Sequence, residues 1–487
     1  MTDGAAEKLK SSFLAERGLL DAEAQARAIE VLAQVEEHGI ETVRLVFPDQ
    51  HGILHGKAVT AGALLSALCG GITAPSTLLL KDTSQRTVFP VWSKDGNGTM
   101  PPLKGASDIL LVPDPRVFHV LPWAPSSAWL LCDVSYRDGG EIAFAPRTVL
   151  RRALAKLREQ GMSMACGLEV EFHVFRVSEE NLAHGDATMP GTPPRTALLN
   201  HGYNLLAEDL YDPAEEILDE LRRCCQGIGL PVRSTEIEFG PSQFEFTFDP
   251  GAPLDQADAM MLFRALVKQV CARRGLHATF MCRPKVDNGA ASGWHLHQSV
   301  MDIDSGRNLF MPEGDAEMTP VAAQEIAGLL EHARECCLLT TPTVNGYKRY
   351  QSFQLAPDRI QWGYDNSGAM VRALFRPGDP ASRVENRVAE PVANPYYYIA
   401  SQILAGLDGV ARGLEPPPPT EEPYAETAPE LPPSLIAAIE AFEDGTLFAR
   451  EIGADFVAYL SRIKRAEWER YLMTVSEWEQ KEYFTLY

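Results

Sequence analysis

The sequence predicts a protein that combines helices with strands and divides into a smaller and a larger domain. Apolar side chains alternate through residues 43–47 as in a strand, and a turn at 48–52 leads into a second strand through residue 59, which makes a hairpin. A proline at position 146 begins a predicted helix that runs to about residue 160. The length of 487 residues supports two or three domains with a large core.

The order of the elements places a domain boundary near residue 140. Residues 1–39 read as a helical segment, and residues 40–140 form the smaller domain, with apolar strands predicted at 77–80 and 129–134. Residues 141–487 form the larger domain, in which strands and helices alternate. The proline-rich stretch from Glu415 to Pro433 predicts a surface connection before a mostly helical tail.

The composition is that of an ordinary soluble globular protein, with 45% hydrophobic and 23% charged residues. A net charge of −22 argues against nucleic acid or an anionic membrane surface as the main partner. Nine cysteines without a C-x-x-C pair, and a start without a signal-like apolar core, predict reduced thiols in a cytoplasmic protein. The apolar run at 64–80 is interrupted by Gly70, Gly71 and Pro75, so no membrane span is expected.

The stretch 167–175 carries two acids inside an apolar strand pattern. Side chains of a strand alternate between its two faces, so Glu169 and Glu171 share one face about 7 Å apart. Two carboxylates at this spacing repel each other and are costly to bury unless a cation compensates them. Taken alone, the stretch also fits a half-exposed strand with a polar outer face.

Three further strand-like segments bear acids, imidazoles or arginines, and together they favour a site over a polar face. Their residues are Glu238 and Glu245 around a Gly-Pro turn, His295, His297 and Ser299 on one strand face, and Arg383, Glu385 and Arg387 on another. Carboxylates with an imidazole suit Mg²⁺ or Mn²⁺, and arginines suit phosphates or carboxylates. Each segment alone could be an ion-pair ladder, but four such ladders without a metal are a poor explanation.

These segments, taken in order, resemble the glutamine synthetase family, and in particular its γ-glutamyl-amine ligases. The matching motifs span about residues 40–410 and are the E-x-E strand at Glu169, the Glu238 and Glu245 pair, N-G…S-G-x-H-x-H at 288–297, P-T-V-N-G-Y-K-R at 342–349, R-V-E-N-R at 383–387 and A-N-P-Y at 393–396. The resemblance implies an α+β fold. It would consist of a small N-terminal β-grasp domain and a larger catalytic domain with a curved antiparallel sheet flanked by helices.

The resemblance also implies roles for individual residues. The metal ligands would be Glu171, Glu238 and Glu245 for one ion, and Glu169, His295 and Glu385 for a second. Glutamate would be held by Asn288, Gly289, Gly293, Arg349 and Arg387, and the nucleotide and its phosphates by His297, Ser299, Arg372 and Arg383. The residues closest to the chemistry would be Arg372, Glu238 and Asp82, the last of which deprotonates the amine, usually across a subunit contact.

The activity implied is the joining of the γ-carboxylate of L-glutamate to an amine, with ATP as co-substrate and Mg²⁺ or Mn²⁺ as cofactor, two or more ions per site. In such enzymes glutamate attacks ATP to give γ-glutamyl phosphate, and the amine then displaces phosphate. The resemblance further implies a ring-shaped homo-oligomer, commonly a dodecamer.

Three departures from the family pattern bear on the substrate. Leu355 stands where ammonia-using members carry a flap glutamate, which removes the attraction for ammonium and leaves an apolar wall. With Phe353 and Tyr203 it suggests a pocket for an organic, alkyl or aryl amine. Ser367 replaces a family arginine, and an extra pair of alanines at 290–291 lengthens the glutamate loop.

Three other functions stay open on the sequence alone. One is ordinary glutamine synthesis from ammonia, against which Leu355 counts. A second uses an acid other than glutamate, which the lengthened loop at 288–293 would permit. A third, of a different class, is a non-catalytic scaffold or nitrogen sensor, against which the full set of six metal-ligand candidates counts.

Overall fold

Two β-sheets organise the chain, one in the N-terminal part and one in the C-terminal part. The structure is a computed structural model that describes residues 2–93, 101–179, 181–351, 356–425 and 427–487. The N-terminal helices are α1 (Thr2–Lys10), α2 (Phe13–Glu16), α3 (Ala22–Glu37) and α4 (Leu64–Gly70). The strands of the first sheet are β1 (Thr42–Pro48), β2 (Leu54–Thr60), β3 (Ile72–Pro75), β4 (Asp108–Val120) and β5 (Ser127–Tyr136).

The first sheet has the strand order β2-β1-β5-β4-β3. Strands β1 and β2 form the expected antiparallel hairpin, while β1 runs parallel to β5. Helix α3 packs against this sheet, and α4 connects β2 to β3. This mixed sheet with its helices agrees with the small β-grasp domain that the resemblance implied.

The second sheet contains nine strands flanked by helices. Its strands are β6 (Met162–Val177), β7 (Thr196–Leu198), β8 (Val232–Ile237), β9 (Gln243–Phe248), β10 (Leu276–Thr279), β11 (Trp294–Asp302), β12 (Trp362–Tyr364), β13 (Val371–Leu374) and β14 (Arg383–Asn386). The helices are α5 (Pro146–Glu159), α6 (Glu208–Gly227), α7 (Pro253–Arg273), α8 (Pro320–Glu331), α9 (Ala333–Thr340), α10 (Pro395–Arg412), α11 (Leu435–Asp444), α12 (Leu447–Glu451), α13 (Ala454–Leu472) and α14 (Glu477–Tyr483).

Strand β6 is the centre of the second sheet. It is 16 residues long and pairs along its length with β11, β9, β10 and β7, all antiparallel, so the sheet curls around it. The path continues from β11 to β14, β13 and β12, and β12 departs from the expected antiparallel order because it runs parallel to β13. Apolar side chains of β6 such as Leu168, Val170 and Phe172 are buried, which leaves the acids on the opposite face.

Helix α10 illustrates how local sequence fixes an element of the core. Asn394 precedes it, and its side-chain oxygen accepts from the backbone N–H of Tyr396, while Pro395 occupies the first helical position. The helix ends at Gly413, which adopts the left-handed conformation. Its aromatic residues 396–398 are buried: Tyr398 packs against Trp294 of β11, Tyr396 contacts Asp258 on α7, and Tyr397 contacts Phe456 on α13.

Most predicted elements are confirmed, and one is wrong. The hairpin, the helix from Pro146 and the strands at 129–134 and 167–175 are present, and the described part of 415–433 contains neither helix nor strand. Residues 77–80 were expected to be a strand but belong to a 3₁₀-helix, Ser76–Leu80. A short apolar run does not distinguish these states, and Pro75 presets the turn that begins it. The domain boundary near residue 140 stays a prediction.

All nine cysteines are free thiols. No helix among the described residues is both long and apolar enough to cross a membrane.

A buried ion cluster around His332 predicts that stability depends on pH. Its Nδ1 lies 2.6 Å from Glu335 Oε1 and its Nε2 lies 2.7 Å from Asp408 Oδ2. Burial lowers the pKa of His332, but the two carboxylates outweigh burial and raise the pKa above its ordinary value. The folded state therefore binds a proton more tightly than the unfolded chain, so this contribution is fully present below about pH 6.5 and is lost as the pH rises through the folded pKa.

We expect His332→Gln to lower the free energy of unfolding by about 2 kcal/mol at pH 6, and by less as the pH is raised through the folded pKa. Urea titrations of the wild type and the variant from pH 6 to pH 9 measure the difference. His184→Gln, at an exposed position of the 3₁₀-helix His184–Asp186, is the matched control and should leave the curve unchanged. If the difference in unfolding free energy between the wild type and His332→Gln stays constant from pH 6 to pH 9, the proposed role of His332 in the pH dependence is contradicted.

Candidate active site

The register of the second sheet brings the acid-bearing segments together. Glu169 on β6 lies directly opposite His295 on β11, and Glu171 lies opposite Glu245 on β9. On the other side of β11, His297 lies opposite Glu385 on β14. All six of these side chains therefore extend from one face of neighbouring strands.

Glu169 is the centre of the hydrogen bonds in this group. Its Oε1 lies 3.2 Å from Nδ1 of His295, and its Oε2 lies 2.8 Å from Nε2 of His297. Nδ1 of His297 in turn accepts from Nε of Arg383 at 3.1 Å. His297 therefore links Glu169 to Arg383 through its two ring nitrogens.

Glu385 is fully buried and is held by two arginines. Arg372 Nη1 donates to its Oε2 at 3.1 Å, and Arg387 Nη1 donates to its Oε1. Burial raises the pKa of Glu385, but the charges of Arg387 and His295 outweigh burial, and the net shift is downward. Glu385 is therefore ionised and available as an anionic ligand at neutral pH.

Among the described residues, two groups of three have ligand atoms within 4.8 Å of one another, close enough to hold a metal ion. They are Glu169, Glu245 and His295, and Glu169, His297 and Glu385. This grouping differs from the sequence prediction, which assigned Glu245 to the ion held by Glu171 and Glu238, and His297 to the nucleotide. Carboxylates with one imidazole fit Mg²⁺ or Mn²⁺ better than a metal that prefers sulfur.

The pKa shifts of the remaining acids reflect their burial and the repulsion between their carboxylates. Burial, and then the charge of Glu238, raise the pKa of Glu171 to about 8. Burial and the charges of Glu169 and Glu171 raise the pKa of Glu245 as well, and burial raises that of Glu238. A divalent cation would relieve this repulsion and return the carboxylates to their ionised form, so the residues present fit such an ion.

On the side of the site where glutamate binding is predicted, the guanidinium group of Arg349 approaches the backbone of Gly293 closely. A Cβ atom there would lie 2.6 Å from Nη2 of Arg349 and 3.1 Å from Nε2 of His295, so a side chain would displace the arginine. Arg349 is buried, and its Nη1 donates to the carbonyls of Arg387 and Val388 at 2.8 and 3.1 Å. Gly293 therefore lets the guanidinium approach the acidic face.

The other predicted glutamate residues differ in their surroundings. Arg387 is buried beside Glu385, and its Nε has no hydrogen-bond partner among the described residues, which leaves one donor for a ligand. Asn288 lies on an exposed loop with a φ of 56°, and Gly289 is half-buried next to it. The loop thus forms the outer edge of the site.

The predicted phosphate-binding arginines are positioned by partners that sequence reasoning missed. Arg372 donates to Asp365 Oδ1 from Nε at 3.0 Å and from Nη2 at 2.5 Å. Ser299 donates to the carbonyl of Ser382 at 3.0 Å and so supports the β11–β14 region. Ser367, which replaces a family arginine, lies half-buried two residues beyond Asp365.

Asp82 lies in the N-terminal part and is engaged within its own chain. Its Oδ1 accepts from the backbone N–H groups of Ser84 and Arg86 at 2.9 and 3.0 Å, and its Oδ2 accepts from Nη1 of Arg470 on α13. The side chain is 2% exposed. The sequence did not suggest Arg470, because the contact joins positions that lie 388 residues apart.

Of the three predicted amine-pocket residues, one can be described. Tyr203 is 47% exposed, with its ring 6.1 Å from the ring of Phe239, and Phe239 follows Glu238 directly. Leu355 and Phe353 lie outside the described residues. Gln243 was also missed: its Nε2 donates to Glu171 Oε2 at 2.8 Å, and its Oε1 accepts from the backbone of Gly240.

A cavity of about 1420 Å³ lies elsewhere, between the β1–β2 hairpin, α7, β10 and α13. None of the predicted site residues that the structure describes lines it. The concentration of paired acids, imidazoles and arginines on the second sheet, rather than the size of a cavity, therefore identifies the candidate active site.

Comparisons with known proteins identify the family to which the chain belongs. A model of the glutamine synthetase catalytic domain matches residues 143–483. A γ-glutamylanilide synthase of an Acinetobacter species is 38% identical over 496 residues, covering 98% of this chain and 99% of the relative. A γ-glutamylethanolamide synthetase of Streptomyces coelicolor, GlnA4, is 33% identical over 457 residues, covering 93% and 95%. Proteins named glutamine synthetase are also among the relatives.

The solved structure of ligand-free GmaS superposes with a TM-score of 0.77 at 28% identity, covering 93% of this chain and 99% of that one. The fold, the catalytic-domain match and the synthase and synthetase names of the relatives define the class of protein, an ATP-dependent ligase. The chain belongs to the glutamine synthetase family, and it is similar to the members named for γ-glutamyl-amine products.

Proposed function

We propose that this protein joins the γ-carboxylate of L-glutamate to a small organic amine at the expense of ATP, with γ-glutamyl phosphate as the intermediate. The observation that carries the proposal is the pair of carboxylate–imidazole clusters that share Glu169, with Arg349, Arg372, Arg383 and Arg387 around them. Family membership and the similarity to amine-using relatives support it.

The reaction brings together two anionic groups, the γ-carboxylate of glutamate and the triphosphate of ATP. An oxygen of the γ-carboxylate attacks the γ-phosphorus of ATP, the bond to the bridging oxygen breaks, and ADP leaves. The amine nitrogen then attacks the acyl carbon, and inorganic phosphate leaves as the amide forms. Divalent cations held by the two clusters would neutralise the phosphate charge.

The residues of this chain would bind and orient the reactants. Arg349 and Arg387 would hold the glutamate carboxylates, because both guanidinium groups are buried beside the acidic face and Arg387 keeps a free donor among the described residues. Arg372, fixed by Asp365 and Glu385, and Arg383 would bind the phosphates. Asp82, held by Arg470, would accept the amine proton, and a ring-shaped homo-oligomer, commonly a dodecamer, would bring it to a neighbouring site.

An organic amine is favoured over ammonia by two observations. Leu355 stands at the position of the family's flap glutamate, which removes a carboxylate that would attract ammonium. The relatives at 38% and 33% identity are named for anilide and ethanolamide products. Ammonia remains the second candidate, because proteins named glutamine synthetase are similar to this chain over nearly its whole length.

Phosphate release with ATP, Mn²⁺ or Mg²⁺ and glutamate tests the proposal across ammonium, methylamine, isopropylamine, ethanolamine, putrescine and aniline. We expect kcat/KM for the best organic amine to exceed that for ammonium by about 100-fold, because a site without the flap carboxylate does not bind a small cation well. Each reaction is repeated without glutamate, and with aspartate in its place, to identify the acid.

A higher kcat/KM for ammonium than for every organic amine would indicate that the protein synthesises glutamine instead. Turnover with aspartate but not with glutamate would show that the acid substrate is aspartate and not glutamate. Absence of phosphate release with every amine would support a non-catalytic scaffold or sensor.

A further inference from the structure

Two aromatic side chains lie partly exposed beside Glu238. Phe239 is 50% exposed and Tyr203 is 47% exposed as whole residues, and their rings stand edge to face at 84° with centroids 6.1 Å apart. Large aromatic groups are normally buried, and here half of each surface is left for a ligand.

Backbone contacts fix this pair in place. The N–H of Tyr203 donates to the carbonyl of Phe239 at 2.9 Å, and Tyr203 has a φ of 72°, in the left-handed region that a bulky side chain rarely adopts. On the other side of the turn, Ser242 has a φ of 57° and its N–H donates to Asn200 Oδ1 at 3.0 Å. The loop and the turn therefore hold each other in an arrangement that neither would adopt alone.

The pair adjoins the acidic face directly. Glu238 Oε2 accepts from the N–H of Phe239 at 3.1 Å, and the charge of Glu238 is among the causes that raise the pKa of Glu245. The lengthened glutamate loop reaches the same place, since a Cβ atom on Gly240 would lie 3.1 Å from Cβ of Ala290. The turn that carries Phe239 thus adjoins the acids through Glu238 and the loop at 288–293 through Gly240.

We propose that Phe239, together with Tyr203, forms the wall that selects a primary aryl amine, with the amine nitrogen toward Glu238 and the aryl ring against the two aromatic side chains. The inference rests on the proposed function and makes it more specific. A flat ring fills the exposed area by edge-to-face or offset contact, whereas methylamine and ammonium are too small to touch both rings. Phe239 is a specificity-determining residue and takes no part in bond making.

The test compares kcat/KM for aniline, methylamine and ammonium in the wild type, Phe239→Ala and Phe239→Leu. We expect Phe239→Ala to lower kcat/KM for aniline about 10-fold, with the values for methylamine and ammonium and the KM for glutamate changed less than about twofold. Phe239→Leu keeps an apolar side chain without the ring and should show a smaller loss of the same kind. Phe13→Ala, at a partly exposed phenylalanine on α2, is the matched control and should change none of these values.

A wild type that turns over alkyl amines better than aniline would overturn this inference and leave the ligase proposal standing. An equal loss for all three amines in Phe239→Ala would assign the residue to general support of the site and would also overturn it. If the wild type releases no phosphate with any amine, the proposed function is contradicted, and this inference is contradicted with it.

Discussion

Replacement of Glu169 by glutamine is expected to lower kcat/KM for phosphate release by about 10³-fold. Glu169 belongs to both three-residue groups and contacts His295 and His297 through its two oxygens. Glutamine has the same shape but carries no charge, so both candidate metal positions lose an anionic ligand at once. Steady-state kinetics with ATP, glutamate and the best amine measure the loss.

Titration of Mn²⁺ into the protein without substrates provides a second readout. We expect the apparent affinity to fall at least about 10-fold in Glu169→Gln, since ligand loss acts on metal binding before any chemistry. Glu179→Gln, at a half-buried position two residues beyond the end of β6, is the matched control and should bind and turn over as the wild type does, since glutamine keeps an oxygen that can accept from the N–H of Arg195. Full biological activity of Glu169→Gln would favour the non-catalytic scaffold.

Strand periodicity was enough to predict which side chains share a face. The alternation in β6 placed Glu169 and Glu171 together, and the same rule grouped His295 with His297 on β11. Periodicity acts within one strand, so it needs no knowledge of the fold. The roles given to these residues still rest on the family resemblance and remain predictions.

The relations between strands could not be predicted in the same way. The pairing of Glu169 with His295 joins positions 126 residues apart, and register over such a distance is set when the whole sheet assembles. The sequence therefore did not show that His297 would stand with Glu169 and Glu385, or that Arg470 would pair with Asp82. Phe239 was missed because an aromatic residue in a strand pattern is expected to be buried, and half of it is exposed.

The sequence also provided no indication of the ion pairs that connect the two sheets. Arg147 lies in the first turn of α5 and is 3% exposed. Its guanidinium contacts Asp258 on α7 at 2.7 and 3.1 Å, Asp133 on β5 at 2.8 Å and Asp114 on β4 at 3.2 Å. An arginine among other arginines at the start of a helix gives no sign of three carboxylates contributed by distant elements.

Replacement of Arg147 by methionine is expected to lower the free energy of unfolding by about 3–5 kcal/mol at neutral pH. The reason is the negative charge of the buried carboxylate that loses its partner. Burial raises the pKa of Asp258 and the charge of Arg147 opposes that shift, so without the arginine a buried carboxylate faces Asp114 and Asp133 with no counter-ion. The loss should shrink as the pH is lowered, because protonation of Asp258 removes the uncompensated charge.

Urea titrations at pH 7.5 and pH 5 measure both the size of the loss and its pH dependence. Arg152→Met is the matched control, since Arg152 lies on the same helix, is 37% exposed at its side chain and pairs with the exposed Glu141. An exposed pair contributes about 0–1 kcal/mol, so the control should stay within that range of the wild type. Equal losses in the two variants, or a loss in Arg147→Met that grows toward acid pH, would refute the assignment.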